Sequence, residues 1–140
     1  MTASKYNSEG YYDPTTYEAL SRIEREERVA RYRPLVYICS PYSHGCINTN
    51  IENARKYSRF AVDKHYLPIT PHIYFTQFMD DTVSEERETA IFMNFVLMSK
   101  CVELWVFGDT ISAGMKAEIE RAERKHMKIR YFTEELEEKE

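Results

Sequence analysis

VFGDTISAGMKAEIERA, residues 106–122, reads as one strand-to-helix unit. The apolar run CVELWVF (101–107) ends at Gly108, a short polar loop follows, and Ser112 stands where a helix N-cap belongs. Behind it Ile111, Met115, Ile119 and Ala122 recur at helical spacing, which predicts a helix over 111–126. Working outward, the same unit recurs. LVYICS (35–40), bounded by Pro34 and Pro41, predicts a buried strand, and the loop SPYSHGCIN leads to a helix ending near Lys64. Thr49 and Glu52 have capping-box spacing, so that helix is expected to begin there. YLPIT (66–70) predicts a short strand, and Pro68, lacking a ladder donor, puts it at an edge. PHIYFTQFMDD (71–81) reads as a long aromatic loop. A helix is expected from Ser84 to Lys100; its segment AIFMNFVLM is apolar almost all round and predicts deep burial, within the chain or between subunits. KIRYF (128–132) closes the series as a strand. Such alternation gives a parallel sheet of four to five strands, with helices on both faces and right-handed crossovers.

The remainder of the chain fits around that domain. Residues 1–33 read as an extension with one charged helix from Pro14, 34–133 as the α/β domain, and 134–140 as an acidic tail expected to fray. Residues 1–13 show no period and are expected to be loose or draped over a neighbour. The formal net charge of −4, with both signs interspersed, argues against a nucleic-acid partner. No apolar run reaches the ~18–20 residues of a membrane span, and the start lacks signal-peptide character. Three cysteines, Cys39, Cys46 and Cys101, form no disulfide framework and fit a reducing cytoplasm. Cys39, His44 and Cys46 match no common zinc spacing, so no metal is expected; nor does a dinucleotide or Walker fingerprint imply a cofactor.

Ligands of open α/β sheets bind beyond the carboxyl ends of the strands. Gly45, Gly108 and Gly114 all follow such ends, either as turn punctuation or to admit a ligand. The helix start at Ser112, Gly114 and Met115 offers free N–H groups to a phosphate or another anion. Glu118 lies about 60° from the centre of the core stripe. A carboxylate at that margin is either a functional candidate or a boundary residue paired with Arg121 or Lys125. Asn94, the polar residue inside AIFMNFVLM, must be hydrogen-bonded if buried, by a helix, a subunit or a ligand. His72 is either a ligand contact or a satisfied structural histidine. Tyr37 and Tyr42 can present hydroxyls, and Asp80 and Asp81 read first as a turn.

These segments resemble the nucleoside 2-deoxyribosyltransferase superfamily, and within it a short bacterial and phage branch. The resemblance spans roughly Leu35 to Phe132 through VYICSPYSHG, NIENARKYSRFAV, PITPHIYFTQFMDD and ELWVFGDTISAGMKAEIERA. It implies a flavodoxin-like, Rossmann-like three-layer domain that cleaves the N-glycosidic bond of nucleosides or their 5′-monophosphates. The superfamily's Ser-x-Gly-x-x-x-Glu pattern is met by Ser112, Gly114 and Glu118, which implies Glu118 as nucleophile. Tyr37 matches the tyrosine of the first strand. Ser40 to Gly45, including Tyr42 and Ser43, match the loop that contacts the sugar phosphate, although Gly-Ser there reads Ser-Pro here. Where these enzymes carry an Asp in the buried helix, this chain has Asn94, which cannot act as a general acid. The acid is then expected from Asp80, Asp81 or a neighbouring subunit. The expected partner is a small nucleoside or nucleotide, and the apolar third helix implies a homo-oligomer. Two other readings stay open, a nucleotide-binding module without turnover and an interaction subunit using the N-terminal helix.

Overall fold

The computed structural model describes residues 14–140, with side chains from residue 16. The chain forms two compact units, Met1–Arg33 and Pro34–Glu140. In the first, α1 runs over Pro14–Ala30. The expectation for residues 1–13 lies outside the described residues. The second unit holds β1 (Leu35–Cys39), α2 (Ile47–Asp63), β2 (Leu67–Ile69), α3 (Pro71–Tyr74), α4 (Ser84–Met98), β3 (Glu103–Phe107), α5 (Ala113–Arg124) and β4 (Lys128–Phe132). The sheet is parallel throughout, in the order β2-β1-β3-β4. This is the expected three-layer, Rossmann-like architecture with four strands, and β2 is an edge as Pro68 requires.

The pleat divides the core. Val36, Ile38, Trp105, Phe107 and Phe132 face Tyr57 and Ala61 of α2. Tyr37, Cys39, Leu104 and Val106 face Met98, Met115 and Ala122 on the α4–α5 side. Burial on both faces explains why β1 and β3 read as unbroken apolar runs. From β1 the chain steps outward to β2, then crosses back past β1 to β3. The reversal opens a crevice between the carboxyl ends of β1 and β3.

At the amino end of β3 lies a polar cluster that the sequence reading did not single out. Glu103 is buried; it accepts from the Tyr66 hydroxyl at 2.7 Å and the Trp105 indole at 3.1 Å. Arg130 approaches it at 3.7 Å, with its guanidinium 5.0 Å above the Trp105 ring.

Four local expectations change. α2 begins at Ile47 with Cys46 as N-cap, so Thr49 and Glu52 do not form a capping box. The start is set by Asn50, whose side chain must sit one turn inside the helix to bind two loop carbonyls. The segment after β2 is not all loop: α3 is followed by a 3-10 turn over Phe75–Gln77. Within the chain α4 is buried only in part, for Ile91, Phe92 and Val96 are exposed, which leaves burial between subunits as the alternative. A helix apolar all round carries no signal for which side packs. The acidic tail does not fray: Glu138 bridges back to Phe132, and Arg130 grips its carboxylate at 2.8 and 2.9 Å.

Removing the Glu103 carboxylate leaves the buried Trp105 indole N–H without its acceptor and takes one from the Tyr66 hydroxyl, while Arg130 keeps its two bonds to Glu138. Glu103→Ala is expected to cost about 3 kcal/mol of stability, measured by urea unfolding. A loss below about 1 kcal/mol would show that the cluster is not structural.

Candidate active site

The crevice contains a cavity of about 470 Å³, within the range of small-molecule sites. Four chain segments wall it. The end of β1 and its loop supply Ser40, Tyr42 and Ser43; the α3 segment supplies His72 and Asp81; α4 supplies Arg87 and Asn94; the start of α5 supplies Ser112, Gly114, Met115 and Glu118.

Each wall has an identifiable anchor. Gly45 turns the first loop at φ +84, a conformation that favours glycine. Asn50 then donates to the Tyr42 carbonyl at 2.6 Å and the His44 carbonyl at 2.8 Å. Ser40 Oγ and His72 Nε2 lie 3.1 Å apart and tie the first wall to the second. Thr76 Oγ1 donates to the His72 carbonyl at 2.7 Å. Ser112 caps α5, its Oγ accepting from Met115 N at 3.3 Å. A Cβ built on Gly114 would meet nothing within 4 Å, so the helix start borders open space.

Glu118 brings a carboxyl to the wall of this cavity. Its Oε2 is enclosed and has no hydrogen-bond partner. Burial pushes its carboxyl up to about 8, partly opposed by a hydrogen bond from Tyr37. Tyr37 is buried in β1, and burial together with the Glu118 charge holds its phenol well above the ordinary range. His72 moves the other way: burial lowers its imidazole to about 4. Near neutral pH the site therefore holds a protonated carboxyl and an uncharged imidazole. Asn94 Oδ1 is a second enclosed acceptor without a partner.

Ten residues singled out from the sequence line this one cavity: Ser40, Tyr42, Ser43, His72, Asp81, Asn94, Ser112, Gly114, Met115 and Glu118. Tyr37 lies beneath and engages Glu118. Two do not line it. Gly45 is exposed in its loop, and Gly108, at φ +95, borders a smaller cleft with Ser40 and Thr110. The two aspartates divide: Asp80 makes the turn, accepting from Thr82 N at 3.0 Å, while Asp81 reaches the cavity. Arg87 was missed. Its spacing of seven from Asn94 places both on one side of α4, and that periodicity was the available signal.

A family described as a domain of unknown function (DUF7768) matches residues 34–132. The chain belongs to this family. The DUF7768 match covers every cavity-lining residue named above. A solved structure of a 2-deoxyribosyltransferase from the psychrotolerant bacterium Bacillus psychrosaccharolyticus is similar, with a TM-score of 0.59 at 13% identity, over 71% of this chain and 72% of that one. At that identity the likeness is one of fold. No curated protein matches the chain.

The two shifted groups have opposite consequences for stability. Glu118 holds its proton more tightly when folded, so its contribution is full at low pH and is lost between about 4.5 and 8. The slope is about 1.4 kcal/mol per pH unit. His72 holds its proton less tightly when folded, so its contribution is lost as pH falls from about 6.5 to about 4. The two slopes cancel between about 4.5 and 6.5, leaving a net loss above that. Glu118→Gln removes the first slope alone. The variant should gain about 3 kcal/mol on the wild type between pH 5 and pH 8, followed by urea unfolding at each pH. A difference that does not change with pH contradicts the shift.

Proposed function

We propose that this protein cleaves the N-glycosidic bond of a deoxyribonucleoside or its 5′-monophosphate, passing the sugar to water or to a second base. The observation that carries the proposal is the Glu118 carboxyl, enclosed and with an unpartnered oxygen, on the wall of a cavity bordered by a helix start. The fold shared with a 2-deoxyribosyltransferase supports the same reading.

In this mechanism Glu118 first gives up to solvent the proton it holds near neutral pH, and the resulting carboxylate attacks C1′ while the base departs through an oxocarbenium-like state. The glycosyl ester that forms is then opened by water or by an incoming base. Tyr37 holds one side of the carboxyl and leaves Oε2 for the sugar carbon. The Ala113 and Gly114 N–H groups at the start of α5 receive a 5′-phosphate, with Arg87 as the nearby cation. Ser40, Tyr42, Ser43 and His72 surround the sugar and base, and Gly108 shapes the loop into α5. Asn94 offers an acceptor and no proton, so Asp81 is assigned to protonate the departing base.

Free base released from a panel of deoxynucleosides and their monophosphates is the expected outcome. Glu118→Ala should reduce that release by about a thousandfold or more. Release from no member of the panel, or equal release from the variant, would overturn the reading. Asn94 favours one alternative, nucleotide binding without turnover. It is distinguished by a ligand-dependent rise in melting temperature with no base released.

The same reading places the protein in a reducing cytoplasm. Cys39 and Cys101 are buried as free thiols, and Cys46 is exposed. Among the described residues no helix is long and apolar enough to cross a membrane. It also includes a homo-oligomer, because Phe92 and Val96 leave an apolar strip of α4 exposed beside Ile91, which lines the cavity. Light scattering should give a dimer or larger, and Phe92→Glu should shift it toward monomer. A monomeric wild type contradicts this assignment.

A further inference from the structure

The chain after β4 has no part in the proposed chemistry, yet it is bonded to the loop that leads into the site. Residues 133–140 turn back on themselves: Thr133 N donates to the Glu137 carbonyl and Lys139 N to the Tyr131 carbonyl, each at 2.8 Å. Leu136 packs against the aromatic core on the α2 side. Arg130 holds Glu138 through two bonds. These contacts set the register of the returning segment and place Lys139 beside the loop after β3.

There the Lys139 ammonium makes two bonds. It donates to the Gly108 carbonyl at 2.9 Å and pairs with Asp109 at 2.9 Å. Gly108 N in turn donates to the Phe132 carbonyl at 3.0 Å. The loop is thus held from both sides at the residue whose positive φ sets its direction. Four residues further on, Ser112 caps α5. The Asp109 side chain is largely exposed, so the ion pair alone contributes little. The bond to the Gly108 carbonyl matters more, because it fixes backbone.

We propose that Lys139 is a positioning residue: the carboxy-terminal strap, locked in register by Arg130 and Glu138, uses it to hold the Gly108–Ile111 loop and so the anion-receiving start of α5. The kinetic consequence rests on the reaction proposed above; the mechanical one does not.

The test compares Lys139→Met, Lys139→Arg and Glu138→Gln by amide hydrogen exchange on the full chain. Lys139→Met should speed exchange at Gly108, Met115 and Lys116, the hydrogen-bonded amides flanking the loop, by about tenfold. Lys139→Arg should restore it, and Glu138→Gln should move it the same way as Lys139→Met. Residues 54–61 of α2 serve as the internal reference. Unchanged exchange at Gly108, Met115 and Lys116 in Lys139→Met, or an equal rise over 54–61, overturns the proposal. With a deoxynucleoside 5′-monophosphate, Lys139→Met should raise KM several-fold while kcat stays within about twofold. A fall in kcat at constant KM also counts against it. If the wild type turns nothing over, the proposed reaction fails and the exchange measurement alone decides the strap.

Discussion

The parallel pairing of β1 with β3 is the contact on which the molecule is organised. It joins Val36 to Glu103 and Cys39 to Val106 in register, although β2 lies between them in the chain. To make it, the chain must leave β1 for the sheet edge and return across it. That return places α2 on one face and α4 with α5 on the other. It also leaves the two loops after β1 and β3 diverging, so a cavity opens where neither loop covers the sheet. The strands are short, and Val36, Ile38, Leu104, Trp105 and Val106 are completely buried. The site is therefore carried on the most rigid part of the fold, as a catalytic constellation requires.

Much of this was legible because it follows from local rules. Period, proline and glycine gave the strand-helix alternation, and Pro68 gave the edge. Ser112 was readable as a cap because a hydroxyl there has one dominant use. Most of the cavity followed from one rule, that parallel strands bind ligands at their carboxyl ends. What was illegible depends on partners distant in sequence. Thr49 and Glu52 have the spacing of a capping box, but Asn50 reaches back to the loop carbonyls and draws the helix start forward to Ile47. The tail TEELEEKE looks solvated by composition. It is ordered because Arg130 and Gly108, 8 and 31 residues away, happen to face it. No property of AIFMNFVLM shows which side of the helix meets the sheet.

The N-terminal unit contributes no residue to this account. Leu20 and Ile23 on α1 are exposed, and the helix is strongly charged. A helix of that composition draws its stability from what it packs against more than from its own propensity.

Two glutamates show how the fold separates structure from chemistry. Glu103, at the amino end of β3, is buried, and both of its oxygens are engaged, by Tyr66, Trp105 and Arg130. Glu118, on the opposite face and near the carboxyl end, has Tyr37 on one side and lines the cavity with an oxygen that no side chain engages. Both carboxyls are costly to bury. A carboxylate saturated by its own chain has nothing left to offer a ligand, so Glu103 is explained by packing alone. Glu118 has no such explanation: Arg121, one turn away, turns its guanidinium to the Phe95 ring at 5.0 Å and not to the carboxyl. Packing alone would have been better served there by an apolar side chain. The unpaired oxygen is thus a destabilising feature at the carboxyl ends of the strands, where parallel topology favours a ligand, and this is the physical reason to take the Glu118 end of the sheet, and not the Glu103 end, as the candidate site.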